Sequence, residues 1–255
     1  MSATLPEFSV VIPARLGSTR LPRKPLADIA GKPMVVRVAE QASRSGAHSV
    51  IVATDSTEIQ AVCDAHRIEC LLTKADHPTG TDRIAEIAQL LKLPPDALIV
   101  NVQGDEPLIP LELINQVASV LATHPECAIS TVATPIGDAE EITNPNVVKV
   151  VLSRHHEAMY FSRSIIPFAR DAANGVSAST QYLRHLGIYA YRASFLEAYA
   201  RLEPAPLERS ESLEQLRALW HGFRIQVHIT PDLPPPGVDT EADLERVRLA
   251  FASRG

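Results

Sequence analysis

The sequence predicts an α/β fold with a mostly parallel central sheet flanked by helices and a smaller mixed or antiparallel extension. In the first half of the chain, short apolar runs alternate with segments whose apolar residues have helical spacing. The apolar runs are nearly continuous, which is typical of parallel strands covered on both faces. After residue 128, strand-like runs follow one another without regular helices between them, which indicates the extension.

The chain opens with a strand, a long loop and a helix. Residues 8–13 are a β-rich apolar run, and residues 32–46 carry apolar side chains at helical spacing. Pro33 stands where a first-turn proline is tolerated, and Gly46 stands where helices commonly end. The same alternation predicts strands at 48–53, 68–72 and 97–102, and helices at 56–66, 81–91 and 110–123.

The second half predicts strands around a mobile segment. Residues 167–182 are rich in small and polar side chains, which indicates a loop or lid. The four prolines within 231–237 form a stiff connector that delivers Asp239 to a fixed place. The regular elements predicted here are strands at 128–133, 147–152, 183–192 and 224–229, and helices at 194–202, at 210–221 and from Thr240.

We expect a single domain over residues 1–255. Its core comprises 1–127 and 205–255, and the mixed extension comprises 128–204. Ligands of such sheets bind beyond the carboxyl ends of the strands. We therefore expect the chemistry in the segments that follow Pro13, Ala53 and Val102.

Composition excludes several classes of partner. The formal net charge is −6 at pH 7, whereas nucleic acid or an anionic membrane surface requires an extended basic face. The longest apolar runs are far too short to span a bilayer, and the N-terminus has no basic region followed by an apolar stretch. We expect no nucleic-acid partner, no membrane insertion and a cytoplasmic location. Cys63, Cys70 and Cys127 lack Cys-x-x-Cys spacing, which predicts reduced, packed thiols.

One short segment has the opposite charge. Between positions 15 and 24 the chain carries Arg15, Arg20, Arg23 and Lys24 and no acid. The segment follows the first strand directly, but it matches neither common glycine-rich phosphate motif. Arg15 and Lys24, with backbone donors around Gly17 and Ser18, would hold a triphosphate, because charged donors make the stronger phosphate bonds. The alternative is a solvated basic turn.

Two aspartates are candidate metal ligands. Asp105 follows the predicted strand 97–102, and its carboxylate is a hard oxygen ligand of the kind that magnesium prefers. The alternative for Asp105 is a turn before Pro107. Asp239 precedes the last predicted helix, where acids are favoured for structural reasons, so its position alone leaves its role open.

Five separated motifs resemble one enzyme family. They are the loop from Pro13 to Leu26, Gln103-Gly-Asp-Glu-Pro107, His185-Leu-Gly-Ile-Tyr189, Leu213-Glu-Gln-Leu-Arg217 and Gly237-Val-Asp-Thr240. In this order, and over about residues 8–248, they resemble the 3-deoxy-manno-octulosonate (Kdo) cytidylyltransferases. The chain departs from the expected family pattern at Arg23, where we expect a glycine before Lys24.

The resemblance implies a Rossmann-like nucleotidyltransferase that transfers CMP from CTP to Kdo, releases pyrophosphate and activates Kdo for lipopolysaccharide synthesis. A sugar hydroxyl would attack the α-phosphorus in line with the departing pyrophosphate, so catalysis is mainly positioning and charge neutralisation. The implied cofactor is Mg²⁺, held by Asp105 and Asp239, and these carboxylates are also the nearest candidates for a general base. The extended strands after Ala128 predict a homodimer, the commonest oligomer.

The resemblance also implies the site residues. The catalytic residues would be Arg15, Lys24, Asp105 and Asp239. The nucleotide-binding residues would be Ala14, Arg15, Gly17, Ser18, Lys24, Gln103 and Asp105. The sugar-binding residues would be Arg83, Gln103, Arg163, Arg184, His185, Tyr189, Glu214 and Gln215.

Several of these residues have a structural alternative. His185 could be a packed strand histidine, and Glu214 and Gln215 could belong to a solvated helix face, the commoner fate of such side chains. Arg83 could pair with Glu86 three residues further on.

Three other functions remain open from the sequence. A CMP-sugar synthetase for another acidic keto-sugar, such as sialic acid, would share the first loop but differ in the distal half. A non-catalytic CTP-binding sensor would have no need for the metal pair. An NAD-binding oxidoreductase fits the alternating pattern but lacks its glycine fingerprint.

Overall fold

The computed structural model describes residues 5–17, 21–172 and 174–253. Its first half alternates strands with helices, as the apolar pattern predicts. The strands are β1 (Phe8–Ala14), β2 (Asp28–Ile29), β3 (Lys32–Pro33), β4 (Ser49–Thr54), β5 (Glu69–Leu72) and β6 (Leu98–Asn101). The helices are α1 (Met34–Ala42), α2 (Thr57–Ala65), α3 (Gly80–Leu90) and α4 (Leu111–Thr123), and a 3-10 turn covers Lys24–Leu26.

The second half contains both strands and short helices. Its strands are β7 (Ile129–Pro135), β8 (Lys149–Leu152), β9 (Ala158–Ser162), β10 (Leu183–Arg192) and β11 (Ile225–Ile229). Its helices are α5 (Ala139–Thr143), α6 (Ala193–Tyr199), α7 (Pro206–Glu211), α8 (Gln215–Trp220) and α9 (Glu241–Ala252). Within the described ranges, none of these helices is long and apolar enough to cross a membrane.

The central sheet has the strand order β11-β7-β10-β6-β1-β4-β5. Its neighbours are parallel except at β10, which runs antiparallel to both β6 and β7. A hairpin of β8 and β9 joins this sheet through β10. The predicted fold class, mostly parallel with an antiparallel addition, is therefore confirmed.

The predicted extension 128–204 supplies strands both to the main order and to the hairpin beside it. Strands β7 and β10 lie within the central order, between β11 and β6, and β7 is buried along almost its whole length. A strand covered on both faces belongs to the interior of a sheet. The β8–β9 hairpin lies off this order because it is attached to one strand, and β2 and β3 form a separate two-stranded sheet.

Helices pack on both faces of the sheet and hold it rigid. On β1, Val10 and Ile12 face a core with α1, α4 and α9, whereas Val11 faces the core with α3, α6 and α8. Full burial of one such side chain contributes about 1.5–3 kcal/mol. The two cores fix the carboxyl ends of β1 and β6, which point toward the same edge because these strands are parallel.

One predicted helix is two helices in the structure. The pattern predicts a continuous helix over 210–221, but Ser212 adopts left-handed backbone angles (φ 51°, ψ 49°) that end α7. Helix α8 then starts in a new direction after Glu214. Periodicity alone does not reveal such a break, because the apolar spacing continues across it. By contrast, Thr240 caps α9 as predicted.

Candidate active site

Three segments far apart in the chain meet at Lys24. Its Nζ donates to Oδ2 of Asp105 at 2.6 Å, to Oδ1 of Asp239 at 3.1 Å and to the carbonyl of Val238 at 2.9 Å. Lys24 follows β1, Asp105 follows β6, and Asp239 immediately precedes the cap of α9. The three side chains that the sequence singled out are therefore in direct contact.

The electrostatics keep this lysine charged. Burial alone would lower the pKa of Lys24, but the charges and hydrogen bonds of Asp105 and Asp239 outweigh it and raise the pKa above its ordinary value. Only 16% of the Lys24 side chain is exposed, so little water competes with these contacts. The arrangement is a fixed positive charge held between two carboxylates.

Close backbone contacts build the floor of this site. A Cβ on Gly104 would lie 2.8 Å from the carbonyl oxygen of Pro13, so only glycine lets the segment after β6 approach the end of β1. The amide of Val238 donates to the carbonyl of Asp105 at 2.8 Å. A Cβ on Gly237 would lie 3.3 Å from that same carbonyl. The proline-rich connector thus brings Val238, the residue before Asp239, against the backbone of Asp105.

The cavity beside Lys24, which we call the lysine cavity, has a volume of about 430 Å³. It brings together nearly all the predicted nucleotide residues. Arg15 is exposed at its mouth, and Ser18 lies outside the described residues. The lining residues are Pro13, Ala14, Arg15, Gly17, Lys24, Pro25, Gln103, Gly104, Asp105 and Asp239.

A second cavity of about 650 Å³, the histidine cavity, adjoins the first. The two cavities share Arg15 and Gln103, so a ligand that fills one can reach the other. Five of the predicted sugar residues in the distal half line the histidine cavity, namely Arg184, His185, Tyr189, Glu214 and Gln215. Arg184 is oriented by Glu141, whose Oε1 accepts from its Nη1 at 3.0 Å.

His185 is both packed and available to a ligand. Its ring meets Phe161 edge-on at 4.9 Å between centroids, and its Nε2 lies 2.9 Å from Oγ1 of Thr131. Burial lowers the pKa of His185 to about 3. The ring is therefore neutral at physiological pH, and it can offer a hydrogen bond without adding charge to the cavity.

Glu214 and Gln215 do not form a solvated helix face, so that alternative is wrong. Burial raises the pKa of Glu214, against hydrogen bonds from Thr79 and Thr81 that lower it. Gln215 is only 6% exposed, and its Nε2 has no hydrogen-bond partner in the part of the chain that the structure describes. An amide donor left without a partner inside a cavity is available to a ligand.

Two predicted sugar residues lie elsewhere. The Nε of Arg163 donates to the carbonyl of Glu211 at 2.7 Å, and its Nη1 donates to that of Pro145 at 3.0 Å. Among the described residues, the lining of the histidine cavity includes neither Arg163 nor Arg83.

Arg83 has a different partner from the one that its sequence spacing suggests. Its guanidinium is buried and bonds to Thr73 and, at 3.3 Å, to Asp55. Glu86, the alternative partner on the same helix, bonds to His77 instead. Arg83 therefore ties α3 to the segments that follow β4 and β5, which is a supporting position.

Other residues in the histidine cavity were not predicted. They come from the start of α3, from the segment before β8, from α7 and from the break between α7 and α8. The loop geometry of these segments has no periodic signal. The Asn-Pro-Asn turn at 144–146 is the one local cue, since such turns often shape binding loops. The additional lining residues are Pro78, Thr79, Gly80, Asn146, Val148, Glu208, Arg209, Ser212 and Leu213.

A third cavity, of about 390 Å³, shares Asp105 and Asp239 with the lysine cavity and Arg184 and His185 with the histidine cavity. It is lined by the proline-rich connector and by Glu106, and it also contacts Asp243. Burial, and then the negative charge of Asp105, raise the pKa of Glu106 to about 8. A sequence search for acids directly after β6 would have found Glu106 together with Asp105.

The backbone at Arg23 explains why a glycine is expected immediately before Lys24. This residue has φ 57° and ψ 29°, in the left-handed region that favours glycine. Its side chain points away from the lysine cavity to an ion pair with Glu58 on α2. The additional charge therefore does not lie against the predicted triphosphate site.

The donor set at Lys24 fits a magnesium ion. Oδ2 of Asp105 and Oδ1 of Asp239 both lie within 3.1 Å of one ammonium nitrogen, so the two oxygens already converge on a single cation. Magnesium is commonly held by one or two carboxylates together with substrate phosphates. The residues that would hold the metal are Asp105 and Asp239.

A family profile described as cytidylyltransferase matches residues 9–225. The chain is 72% identical over 247 residues to the 3-deoxy-manno-octulosonate cytidylyltransferase of Polynucleobacter necessarius subsp. necessarius (strain STIR1), which covers 97% of this chain and 96% of the relative. It is 73% identical over 243 residues to the enzyme of the same name from Polynucleobacter asymbioticus (strain DSM 18221 / CIP 109841 / QLW-P1DMWA-1), with 95% of each chain covered.

Solved structures give the same result. A CMP:2-keto-3-deoxy-manno-octonic acid synthetase complexed with CTP superimposes with a TM-score of 0.89 at 39% identity, covering 98% of this chain and 100% of that chain. A cytidylyltransferase from Leptospira borgpetersenii serovar Hardjo-bovis (strain JB197) matches with a TM-score of 0.62 at 17% identity, over 97% and 87% of the two chains. The second match supports the fold alone.

Proposed function

Since the chain belongs to the 3-deoxy-manno-octulosonate cytidylyltransferase family, we propose that it transfers CMP from CTP to Kdo and releases pyrophosphate. The observation that carries this proposal is the contact of Lys24 with both Asp105 and Asp239 at the wall of a cavity that opens into a second one. The first cavity has the charges for a triphosphate and metal. The second has Arg184 for a carboxylate and neutral groups, such as His185 and Gln215, for the hydroxyls of a sugar.

The roles of the charged residues follow from their positions. CTP would lie in the lysine cavity, with its phosphates between Arg15 and the ammonium of Lys24. These cations would neutralise charge that builds on the phosphate oxygens, and the rigid floor at Gly104 would fix the reacting atoms. The sugar hydroxyl would approach from the histidine cavity, because that cavity meets the first at Arg15 and Gln103.

We propose Mg²⁺ as the cofactor, with Asp105 and Asp239 as its protein ligands. When bound, the ion would supply positive charge to the phosphates of CTP and to the attacking oxygen. Lys24 would then keep the two carboxylates in place through its bonds to Asp239 and to the carbonyl of Val238. The protein alone therefore already holds the two proposed metal ligands close together.

Recognition of Kdo would rest on the residues of the histidine cavity. Arg184, held by Glu141, is the natural partner for the sugar carboxylate. His185, Tyr189, Glu214 and Gln215 would bind hydroxyl groups. Of the remaining predicted sugar residues, Gln103 lies between the cavities, whereas Arg83 and Arg163 would act only as supports for the segments that they join.

The test is release of pyrophosphate from CTP in the presence of magnesium, with Kdo, sialic acid or no sugar. Release with Kdo alone is the expected result. Release with sialic acid alone would instead favour the related CMP-sugar synthetase. Binding of CTP without release under any condition would favour a CTP sensor.

We also propose that the protein is a cytoplasmic homodimer that supplies CMP-Kdo for lipopolysaccharide synthesis. In support of a dimer, the β8–β9 hairpin and the segment after it expose Met159 (64%) and Phe168 (67%). Large apolar side chains on a sheet edge favour association with a second chain. Sedimentation at working concentration should give twice the chain mass, and a monomer would contradict the dimer.

A further inference from the structure

Helix α9 begins with reciprocal hydrogen bonds that reach beyond an ordinary helix cap. The amide of Asp243 donates to Oγ1 of Thr240 at 3.2 Å, and Oδ2 of Asp243 accepts from the amide of Thr240 at 2.9 Å and from its hydroxyl at 2.8 Å. These bonds form a capping box. The same Oδ2 also accepts from the amide of Asp239 at 3.1 Å, one residue before the cap.

Asp243 therefore accepts a hydrogen bond from the backbone of Asp239, a proposed metal ligand. On one side of Asp239, Val238 is bonded to Asp105 through its amide and to Lys24 through its carbonyl. On the other side, the amides of Asp239 and Thr240 both point to Oδ2 of Asp243. The peptide that carries Asp239 is thus held from both ends.

The Asp239 side chain needs such support. It is 47% exposed, whereas Lys24 and Asp105 are 16% and 29% exposed. Its carboxylate reaches Lys24 only while the backbone that carries it is held in place, because an unordered loop residue samples many conformations. Misplacement of a reacting group by about 1 Å is enough to cost on the order of 100-fold in rate.

We propose that Asp243 is a positioning residue that holds Asp239 in place for binding a divalent cation. The inference deepens the proposed function and rests on it. Asp243 acts through its Oδ2 and the backbone of Asp239, and it contacts neither Lys24 nor Asp105 in the hydrogen bonds that the structure describes.

Three variants separate the effect of positioning Asp239 from the effect of the negative charge of Asp243. Asp243→Ala removes the acceptor and the charge, and Asp243→Asn removes the charge but keeps an acceptor oxygen. Glu245→Ala is the matched control, because Glu245 is a 59% exposed acid on the same helix that pairs with Arg248. Mn²⁺ serves as the probe, and its binding is measured by electron paramagnetic resonance with CTP present. Melting temperature and hydrogen exchange over 238–244 are recorded without metal.

We expect Asp243→Ala to weaken Mn²⁺ binding about 10-fold, the lower end of what loss of a supporting bond to a metal ligand costs. Exchange over 238–244 should become faster in this variant, and the KM for Kdo should stay unchanged. Asp243→Asn should recover most of the affinity, and Glu245→Ala should match the wild type. If Asp243→Ala does not fold, Asp243→Ser, whose shorter side chain reaches fewer of the donors, takes its place.

Unchanged Mn²⁺ binding in Asp243→Ala would overturn the inference. Equal losses in Asp243→Ala and Asp243→Asn would also overturn it, because charge rather than position would then be responsible. Failure of the wild type to release pyrophosphate with Kdo would refute the proposed function alone. The Mn²⁺ comparison does not depend on turnover, so the two failures are distinguishable.

Discussion

The two ends of the cleft use opposite means of recognition. In the lysine cavity, the carboxylates of Asp105 and Asp239 both accept hydrogen bonds from the ammonium of Lys24. In the histidine cavity, burial lowers the pKa of His185 and raises the pKa of Tyr189, so both side chains stay neutral. One end is an assembled set of charges, whereas the other places neutral donors and acceptors beside the cation of Arg184.

This difference matches what each end has to distinguish. Phosphates are alike in every nucleotide, and strong charge contacts bind them without regard to the rest of the molecule. Sugars differ in their hydroxyl groups, and a cavity that leaves a buried donor such as Gln215 without a partner discriminates against ligands that fail to satisfy it. Affinity should therefore depend mainly on the lysine cavity, and choice of sugar on the histidine cavity.

The largest expected effect is that of Asp105→Ala. Turnover should fall by at least about 100-fold, since a preorganised charge at the reacting phosphate is lost. The fold should be intact, because the bond from Val238 to Asp105 uses the backbone carbonyl. Pyrophosphate release and a circular dichroism melt measure the two quantities. Near wild-type turnover would refute the proposed metal ligand.

The second effect tests whether Arg15 belongs to the charged end. Arg15→Ala should raise the KM for CTP by about 10- to 100-fold, because hydrogen bonds to charged groups contribute about 1.5–3 kcal/mol. The KM for Kdo should change less. Arg201→Ala is the control, since this arginine is 74% exposed and pairs only with Glu197 among the described residues. An unchanged dependence on CTP would contradict the role of Arg15.

A smaller effect is expected at the neutral end. Gln215→Leu should raise the KM for Kdo about 10-fold and leave the KM for CTP unchanged, because one hydrogen bond to the sugar is lost. The free enzyme should become more stable by about 1 kcal/mol, since a buried amide without a partner is removed. Steady-state kinetics and urea unfolding measure both changes. If only the KM for CTP rose, Gln215 would act in the lysine cavity and not in the histidine cavity, which would contradict this prediction.

The last effect is on stability and concerns pH. Because the pKa of His185 is about 3 in the fold and near 6.5 in the unfolded chain, the unfolded state takes up a proton that the folded state refuses. Because of His185, the free energy of unfolding therefore decreases as the pH falls from about 6.5 toward 3. His185→Gln should unfold with a shallower dependence on pH in that window. The free energy of unfolding is measured for both proteins by urea titration at pH 4 and pH 7. An equal change between the two pH values in wild type and His185→Gln would contradict the neutral histidine.

The charged end could be predicted from the sequence because it obeys a general rule. Loops after parallel strands meet at one edge of a sheet, so Lys24 after β1 and Asp105 after β6 had to be neighbours. Asp239 depended on the family resemblance, since an acid before a helix has structural explanations too. The structure then placed its carboxylate on Lys24.

The neutral end was harder to predict because turns and breaks build it. The left-handed Ser212 redirects the chain between α7 and α8, and the segment before β8 contributes Asn146. Arg163 is drawn to the carbonyls of Glu211 and Pro145 because the β8–β9 hairpin lies beside them. Apolar periodicity carries no information about such local geometry.

The contact between Lys24 and Asp239 also constrains when the site can form during synthesis. These residues are 215 positions apart, and domains are made from the N-terminus at about 5–20 residues per second. A nascent chain can pair Lys24 with Asp105 early, but it gains the third member only after nearly all of the described chain has left the ribosome. A growing chain therefore exposes a half-built site that holds one carboxylate, and full cation binding becomes a property of the finished molecule.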